Sequence, residues 1–226
     1  MPFFQLSDEL IFPNPELAEE DGLLAIGGDL SPERLILAYS NGIFPWFSQG
    51  EPILWWSLNP RLILFPDQFK CSTSLQRVIK SNKFEVKADT NFIEVIKNCS
   101  KVKRNEQNGS WITREMIKAY TILHELGIAH SIETYFQGKL VGGLYGVSLG
   151  KVFVGESMFH TITDASKTAL FHLVEFLKKQ NYHFIDAQQP TSHLISMGAK
   201  EIDRKKYLVL LKNALKHSTE TTKWSL

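Results

Sequence analysis

Two short stretches carry polar side chains where an apolar strand would not hold them without a reason. In Gly155-Glu156-Ser157-Met158-Phe159 a carboxylate interrupts an apolar run. In Ile185-Asp186-Ala187-Gln188-Gln189 apolar and polar residues alternate, and the two-residue period of a strand sends Asp186 and Gln188 to the same face. A carboxylate and an amide on one buried face cost free energy unless each is partnered. From the residues alone two readings stand: a structural hydrogen-bonded pair, or a group that handles a proton in a pocket.

Other motifs fail on their surroundings. Gly146-Val147-Ser148-Leu149-Gly150 has the form G-x-S-x-G, but a nucleophile elbow needs a helix directly after the serine. Here Lys151-Val152-Phe153-Val154 alternates as a strand, which places Ser148 in a hairpin turn. His124 and His130 are six apart rather than the four of H-E-x-x-H, with Gly127 between them, so His124 is expected on a helix surface and no metal site follows. Neither common phosphate loop occurs, so no ATP, dinucleotide or other cofactor is expected.

Hydrophobic residues at 43% against 22% charged ones predict a soluble globular chain. With 25 Lys+Arg against 24 Asp+Glu the net charge is +1, so any nucleic-acid surface must be a local patch. Basic residues cluster at Arg77, Lys80, Lys83 and Lys87, at Lys101, Lys103 and Arg104, and at Arg204, Lys205 and Lys206. Each cluster is either a solvated face or a phosphate-contact surface, and the first presents one sign of charge along a helix and the loop after it. Cys71 and Cys99 lack metal-type spacing and read as reduced thiols. The N-terminal residues lack the pattern of a signal peptide, and no apolar run approaches the roughly 20 residues that span a bilayer. A cytoplasmic protein with no membrane contact is expected.

The elements that must hold the two polar stretches can be read from periodicity. Residues 1–62 are turn-rich and aromatic, and predict a small irregular N-terminal domain containing one helix, capped by Ser31 and ended by Gly42. Helices are expected over 73–80, 91–99 and onward from Thr113 to Gly127. Strands over 128–136, 139–147 and 151–159 form an antiparallel meander, with turns at Gln137-Gly138-Lys139 and Ser148-Leu149-Gly150. A helix capped near Thr163 or Asp164, a strand over 183–188, a turn at His193 to Met197 and a helix over 205–216 follow. Helices, then a meander, helix, strand and helix indicate an α+β domain over 63–226.

As whole strings, the sequence resembles the leucyl/phenylalanyl-tRNA–protein transferase family. The matching stretches include residues 21–32 (Asp-Gly-Leu-Leu-Ala-Ile-Gly-Gly-Asp-Leu-Ser-Pro), Gly42-Ile43-Phe44-Pro45-Trp46-Phe47, Leu54-Trp55-Trp56-Ser57 and Trp111-Ile112-Thr113. His130-Ser131-Ile132-Glu133, the run from Leu140 to Val147, Gly155-Glu156-Ser157-Met158-Phe159, Asp164-Ala165-Ser166-Lys167 and Ser196-Met197-Gly198-Ala199 continue it in order. The resemblance implies an acetyltransferase-like (GNAT) second domain with a mainly antiparallel sheet flanked by helices. It implies transfer of leucine, less readily phenylalanine or methionine, from aminoacyl-tRNA to an N-terminal Arg or Lys of an acceptor protein, marking it for degradation. An aminoacyl ester is already activated, so the reaction needs neither ATP nor a metal. A monomer is expected.

The resemblance also implies roles. Asp186, Gln188 and Glu156 match the family's proposed catalytic group. Gln188 accepts a hydrogen bond from the attacking amine, Asp186 orients and polarises the amide of Gln188, and Glu156 holds the amino group of the transferred residue. The apolar amino-acid pocket falls on Leu144, Phe153, Met158, Leu170, Leu173, Leu177 and Ile185. Trp46 and Trp111 match aromatics that hold the terminal adenosine at the tRNA 3′ end, and Arg77 and Lys80, with Lys83 beside them, match basic positions on the acceptor stem. His160, Thr73, Ala187, Gln189-Pro190, Leu173 and Leu177 depart from the family's pattern, which bears on amino-acid preference and tRNA affinity. An acyl-CoA-dependent N-acyltransferase is the competing enzyme, but no R/Q-x-x-G-x-G/A turn follows a strand and the N-terminal aromatics would be unexplained. A non-catalytic aminoacyl-tRNA or peptide-binding module is the third reading, and it should tolerate loss of Asp186 or Gln188.

Overall fold

The computed structural model describes residues 3–102 and 111–226. Lys103, Arg104 and most of the expected loop from Lys101 to Gly109 lie outside the described residues. The N-terminal part is more regular than its many turn residues predict. Four short strands, β1 (Phe4–Leu6), β2 (Leu23–Gly27), β3 (Phe44–Pro45) and β4 (Leu54–Trp56), form a sheet of order β1-β2-β4-β3, with helix α1 (Pro32–Ser40) between β2 and β3. Ser31 caps α1 by accepting from Arg34 N, and Pro32 begins it, as expected.

The remaining strands are β5 (Arg61–Leu64), β6 (Glu85–Ala88), β7 (Ala129–Phe136), β8 (Lys139–Leu149), β9 (Val152–His160), β10 (Phe184–Gln188) and β11 (Lys200–Ile202). They form one sheet of order β11-β5-β10-β9-β8-β7-β6. Every pairing in it is antiparallel except β9 with β10. The helices are α2 (Thr73–Lys80), α3 (Phe92–Ser100), α4 (Arg114–Glu125), α5 (Ala165–Lys179), α6 (Ser192–Ser196) and α7 (Arg204–Ala214). The chain is therefore α+β, with a mainly antiparallel sheet flanked by helices. The boundary expected after residue 62 falls inside β5, which belongs to the larger sheet.

Alternation along the strands sorts the core into two layers. Ile63, Tyr145, Val154 and Phe184 pack with α1, α3, α4 and α7; Leu62, Leu144, Phe153 and Ile185 pack with α2 and α5. Thr113 caps α4 by accepting from Met116 N, and Met116, Ala119, Tyr120 and Leu123 form its buried face. Helix α5 buries the expected stripe of Ala169, Leu170, Leu173, Val174 and Leu177. Asp164 precedes it, but its side chain pairs with Lys167 instead of capping. No helix among the described residues is long and apolar enough to cross a membrane.

Three details differ from the sequence reading. Ser148 lies within β8, not in a turn: the reversal is at Gly150, and the buried Ser148 hydroxyl hydrogen-bonds Tyr182 Oη at 2.6 Å. His124 is not a surface residue: it stacks on Phe92, its Nδ1 lies 2.8 Å from Ala129 O, and it borders Asp89. Arg204 is not a free cation, since its guanidinium donates to Ser57 O and Glu16 O and so ties α7 to the N-terminal part.

Candidate active site

The site forms where β9 and β10 part. Their parallel ladder runs through Phe184–Val152, Ile185–Phe153 and Asp186–Val154 and stops there. A register shift against β5 follows Asp186, and Gln188 adopts φ 52°. Gly155-Glu156 and Ala187-Gln188 thus face each other across an open seam, beside a cavity of about 590 Å3.

Most of the cavity wall is apolar. Of the residues assigned to the amino-acid pocket, Leu144, Phe153, Met158, Leu170, Leu173 and Ile185 line this cavity, and Leu177 does not: it is fully buried in the core on α5. A side chain one turn further along α5 than Leu173 no longer reaches the wall. Trp46 and Trp111, far apart in sequence, line the cavity with Phe44. Trp46 is fixed from behind, where Trp56 Nε1 donates to its carbonyl at 2.7 Å and the two indoles lie 5.5 Å apart.

Glu156 and Gln188 are the polar pair at the seam. Tyr39 Oη donates to Glu156 Oε1 at 2.7 Å and Tyr120 Oη to Oε2 at 3.2 Å, and the two hydroxyl oxygens are also in close contact. Burial raises the Glu156 pKa from 4.5 to about 7 against the opposing effect of the two hydroxyls, with the Asp186 charge adding to the rise. Burial and the Glu156 carboxylate push both tyrosines well above the usual phenol range. The Gln188 amide has two uses. With one orientation Nε2 donates to Glu156 Oε1 at 3.3 Å; with the other it donates to Gly155 O at 2.9 Å and Ala187 O at 3.1 Å and turns its oxygen to Glu156.

Asp186 sits deeper than expected. It is fully buried, does not line the cavity, and accepts from Arg61 Nε (2.8 Å), Arg61 Nη2 (2.7 Å) and Tyr207 Oη (2.7 Å). Its contact with Gln188 is to the backbone N–H, at 3.0 Å, so it fixes the bend of the strand and does not polarise the side-chain amide. Burial works against the Arg61 charge, and Asp186 outweighs it, so the guanidinium stays charged. Arg61 also donates to Gly42 O and lies over the Phe44 ring, 4.8 Å from its centre, which joins the Gln188 bend to the wall that carries Trp46.

Tyr39, Tyr120, Arg61 and Tyr207 are the residues that periodicity alone assigns to the core or passes over. Their signal is polarity: a buried tyrosine hydroxyl or guanidinium needs a partner. Arg77, Lys80 and Lys83 are exposed on α2 and after it, outside the cavity wall.

Residues 63–212 match the model of the leucyl/phenylalanyl-tRNA protein transferase family, and residues 28–59 match that of its N-terminal domain. The chain belongs to this family. Relatives named leucyl/phenylalanyl-tRNA–protein transferase include one from Thermodesulfovibrio yellowstonii, 54% identical over 99% of this chain and 91% of its own length. Another, from Sulfurimonas denitrificans, is 57% identical over 90% of this chain and 88% of its own. Among solved structures, the chain is similar to L-PGS from Bacillus licheniformis at a TM-score of 0.41, with 13% identity, covering 76% of this chain and 54% of that one. The two transferase-family segments meet at the start of β5, so Arg61 lies between them and contacts side chains of both.

Proposed function

We propose that this protein transfers leucine, and less readily phenylalanine or methionine, from aminoacyl-tRNA to the N-terminal Arg or Lys of acceptor proteins. The observation that carries the reading is the apolar cavity with Glu156 and Gln188 at its seam and two tryptophans in its wall. The transferred side chain fills the apolar end. The terminal adenosine stacks on Trp46 and Trp111, an interaction worth about 1–3 kcal/mol per base. Glu156, as a carboxylate, holds the amino group of the transferred residue. Arg77, Lys80 and Lys83 contact phosphates of the acceptor stem.

The acceptor amine attacks the ester carbonyl carbon, the C–N bond forms, and the bond to the ribose oxygen breaks. The amine loses a proton and the leaving ribose oxygen gains one. With a reference pKa near 8 the α-amine is partly neutral at pH 7, so no strong base is needed. The oxygen of Gln188 accepts a hydrogen bond from the attacking amine and orients it; a neutral amide is too weak a base to keep the proton. Asp186 is a positioning residue that acts through the Gln188 backbone. The ester supplies the driving force, which is why the reading includes neither ATP nor a metal. The family resemblance further supports a cytoplasmic monomer whose product is marked for degradation.

The test is transfer of radiolabelled leucine from Leu-tRNA to a peptide beginning with Arg, without ATP, metal or acyl-CoA, against a peptide beginning with Ala. Labelling of the Arg peptide alone is expected. Binding of Leu-tRNA without labelling of either peptide would replace the reading with that of a binding module.

A further inference from the structure

Trp224 lies outside the cavity, yet it stands behind one of the cavity walls. Its indole is 5.6 Å from the Phe153 ring, centre to centre, and Phe153 lines the cavity. Phe153 is also held from β8: a Cβ on Gly146 would stand 2.6 Å from Phe153 Cζ, so no side chain fits against the ring there. Two contacts therefore fix where this part of the wall ends.

Trp224 is itself held in place. Its backbone N–H donates to Asp89 Oδ2 at 2.7 Å. His130 Nδ1 lies 2.7 Å from the same oxygen, and the His130 ring stacks on the indole at 4.0 Å and 4°. Phe176 packs on the indole at 4.7 Å. The segment after α7 that delivers Trp224 is tied down earlier, where Gly150 N donates to Thr219 Oγ1 at 2.9 Å. An irregular segment is thus fastened at several points, and it carries a buried aromatic to the back of Phe153.

We propose that Trp224 sets the depth of the amino-acid pocket and, through Phe153, the preference among the transferred residues. With the indole in place Phe153 has no room to withdraw, and the pocket ends at a fixed distance from Glu156. Without the indole, Phe153 gains space to move back, and a bulkier side chain fits. Trp224 is a specificity-positioning residue, since it acts on the substrate only through Phe153. The inference rests on assigning the cavity to the transferred side chain.

The experiment compares Trp224→Ala, Trp224→Leu and Trp224→Phe with Leu173→Ala, which alters the wall directly. Leu-tRNA and Phe-tRNA compete for one Arg-terminal peptide, and the ratio of the two kcat/KM values is read below each variant's melting temperature. A space of methylene size in an apolar pocket discriminates about tenfold or more. Trp224→Ala is therefore expected to raise the Phe-to-Leu ratio about tenfold, Trp224→Leu about threefold, and Trp224→Phe less than twofold. A purely structural role would lower both substrates in parallel and leave the ratio alone. If Leu173→Ala changes the ratio while Trp224→Ala and Trp224→Leu do not, the proposal is overturned and the pocket assignment stands. If none of the variants changes it, the pocket assignment fails and the proposal with it. Should Trp224→Ala not fold, Trp224→Leu decides by the same ratio.

Discussion

Replacing Glu156 by Gln tests the electrostatics of the site. In the folded protein burial lifts the Glu156 pKa from 4.5 to about 7. The native state therefore holds this proton more tightly than the unfolded chain does. Below about pH 4.5 both states are protonated and the group contributes nothing; stability then falls as pH rises towards 7 and levels off above it. The full difference corresponds to about 3 kcal/mol, and because part of Glu156 faces the open cavity, water there reduces it to about 2–3 kcal/mol. The amide of the Glu156→Gln protein cannot titrate, and Tyr39 and Tyr120 can still hydrogen-bond it. At pH 8.5 the Glu156→Gln protein should therefore gain about 2 kcal/mol on the wild type relative to their difference at pH 5, where the unfolded chain is already largely ionised. For a chain of this size that is about 4–8 °C in melting temperature. Thermal melts of both proteins at the two pH values read it directly, and titration of every other group cancels in the comparison. A difference that is the same at both pH values, or that moves towards the wild type as pH rises, refutes the reasoning. It would mean that the tyrosine hydroxyls outweigh burial and keep the carboxylate charged.

Asp186→Ala leaves the buried Arg61 unpaired and should cost about 3–5 kcal/mol in urea unfolding. It should also lower kcat more than tRNA affinity, and equal losses would contradict action through the Gln188 bend. Arg77→Ala and Lys80→Ala should each weaken binding of Leu-tRNA and Phe-tRNA alike and reduce the salt dependence of log K by about 1. An unchanged salt slope would remove these residues from the tRNA contact.

The parts of the fold governed by periodicity were legible. Helix α3 and the buried stripe of α5 follow directly from the spacing of their apolar residues. The short strands β1, β6 and β11 were not legible, because three or four residues show no period and depend on a distant partner. Glu156, Asp186 and Gln188 stood out because each interrupts an apolar strand. Their surroundings did not, since the partners of Glu156 come from α1 and α4 and those of Asp186 from β5 and α7. Tyr39 and Tyr120 look like ordinary core on an amphipathic helix, and only their hydroxyls mark them as belonging to a polar network. Leu177 shows the opposite error: it shares a stripe with Leu173, but one helical turn moves it from the cavity wall into the interior.

The position of β5 has a consequence for synthesis on the ribosome. This strand is made early, yet both of its neighbours, β10 and β11, come late. At about 5–20 residues per second, the roughly 120 residues between β5 and β10 take about 6–24 s to translate. Throughout that interval the Leu62-Ile63-Leu64 stretch of the nascent chain has two unpaired edges and apolar side chains on both faces. Slow stretches in the message between β5 and β10 would lengthen this exposure, and the emerging protein is expected to depend on early-binding chaperones more than its size alone requires.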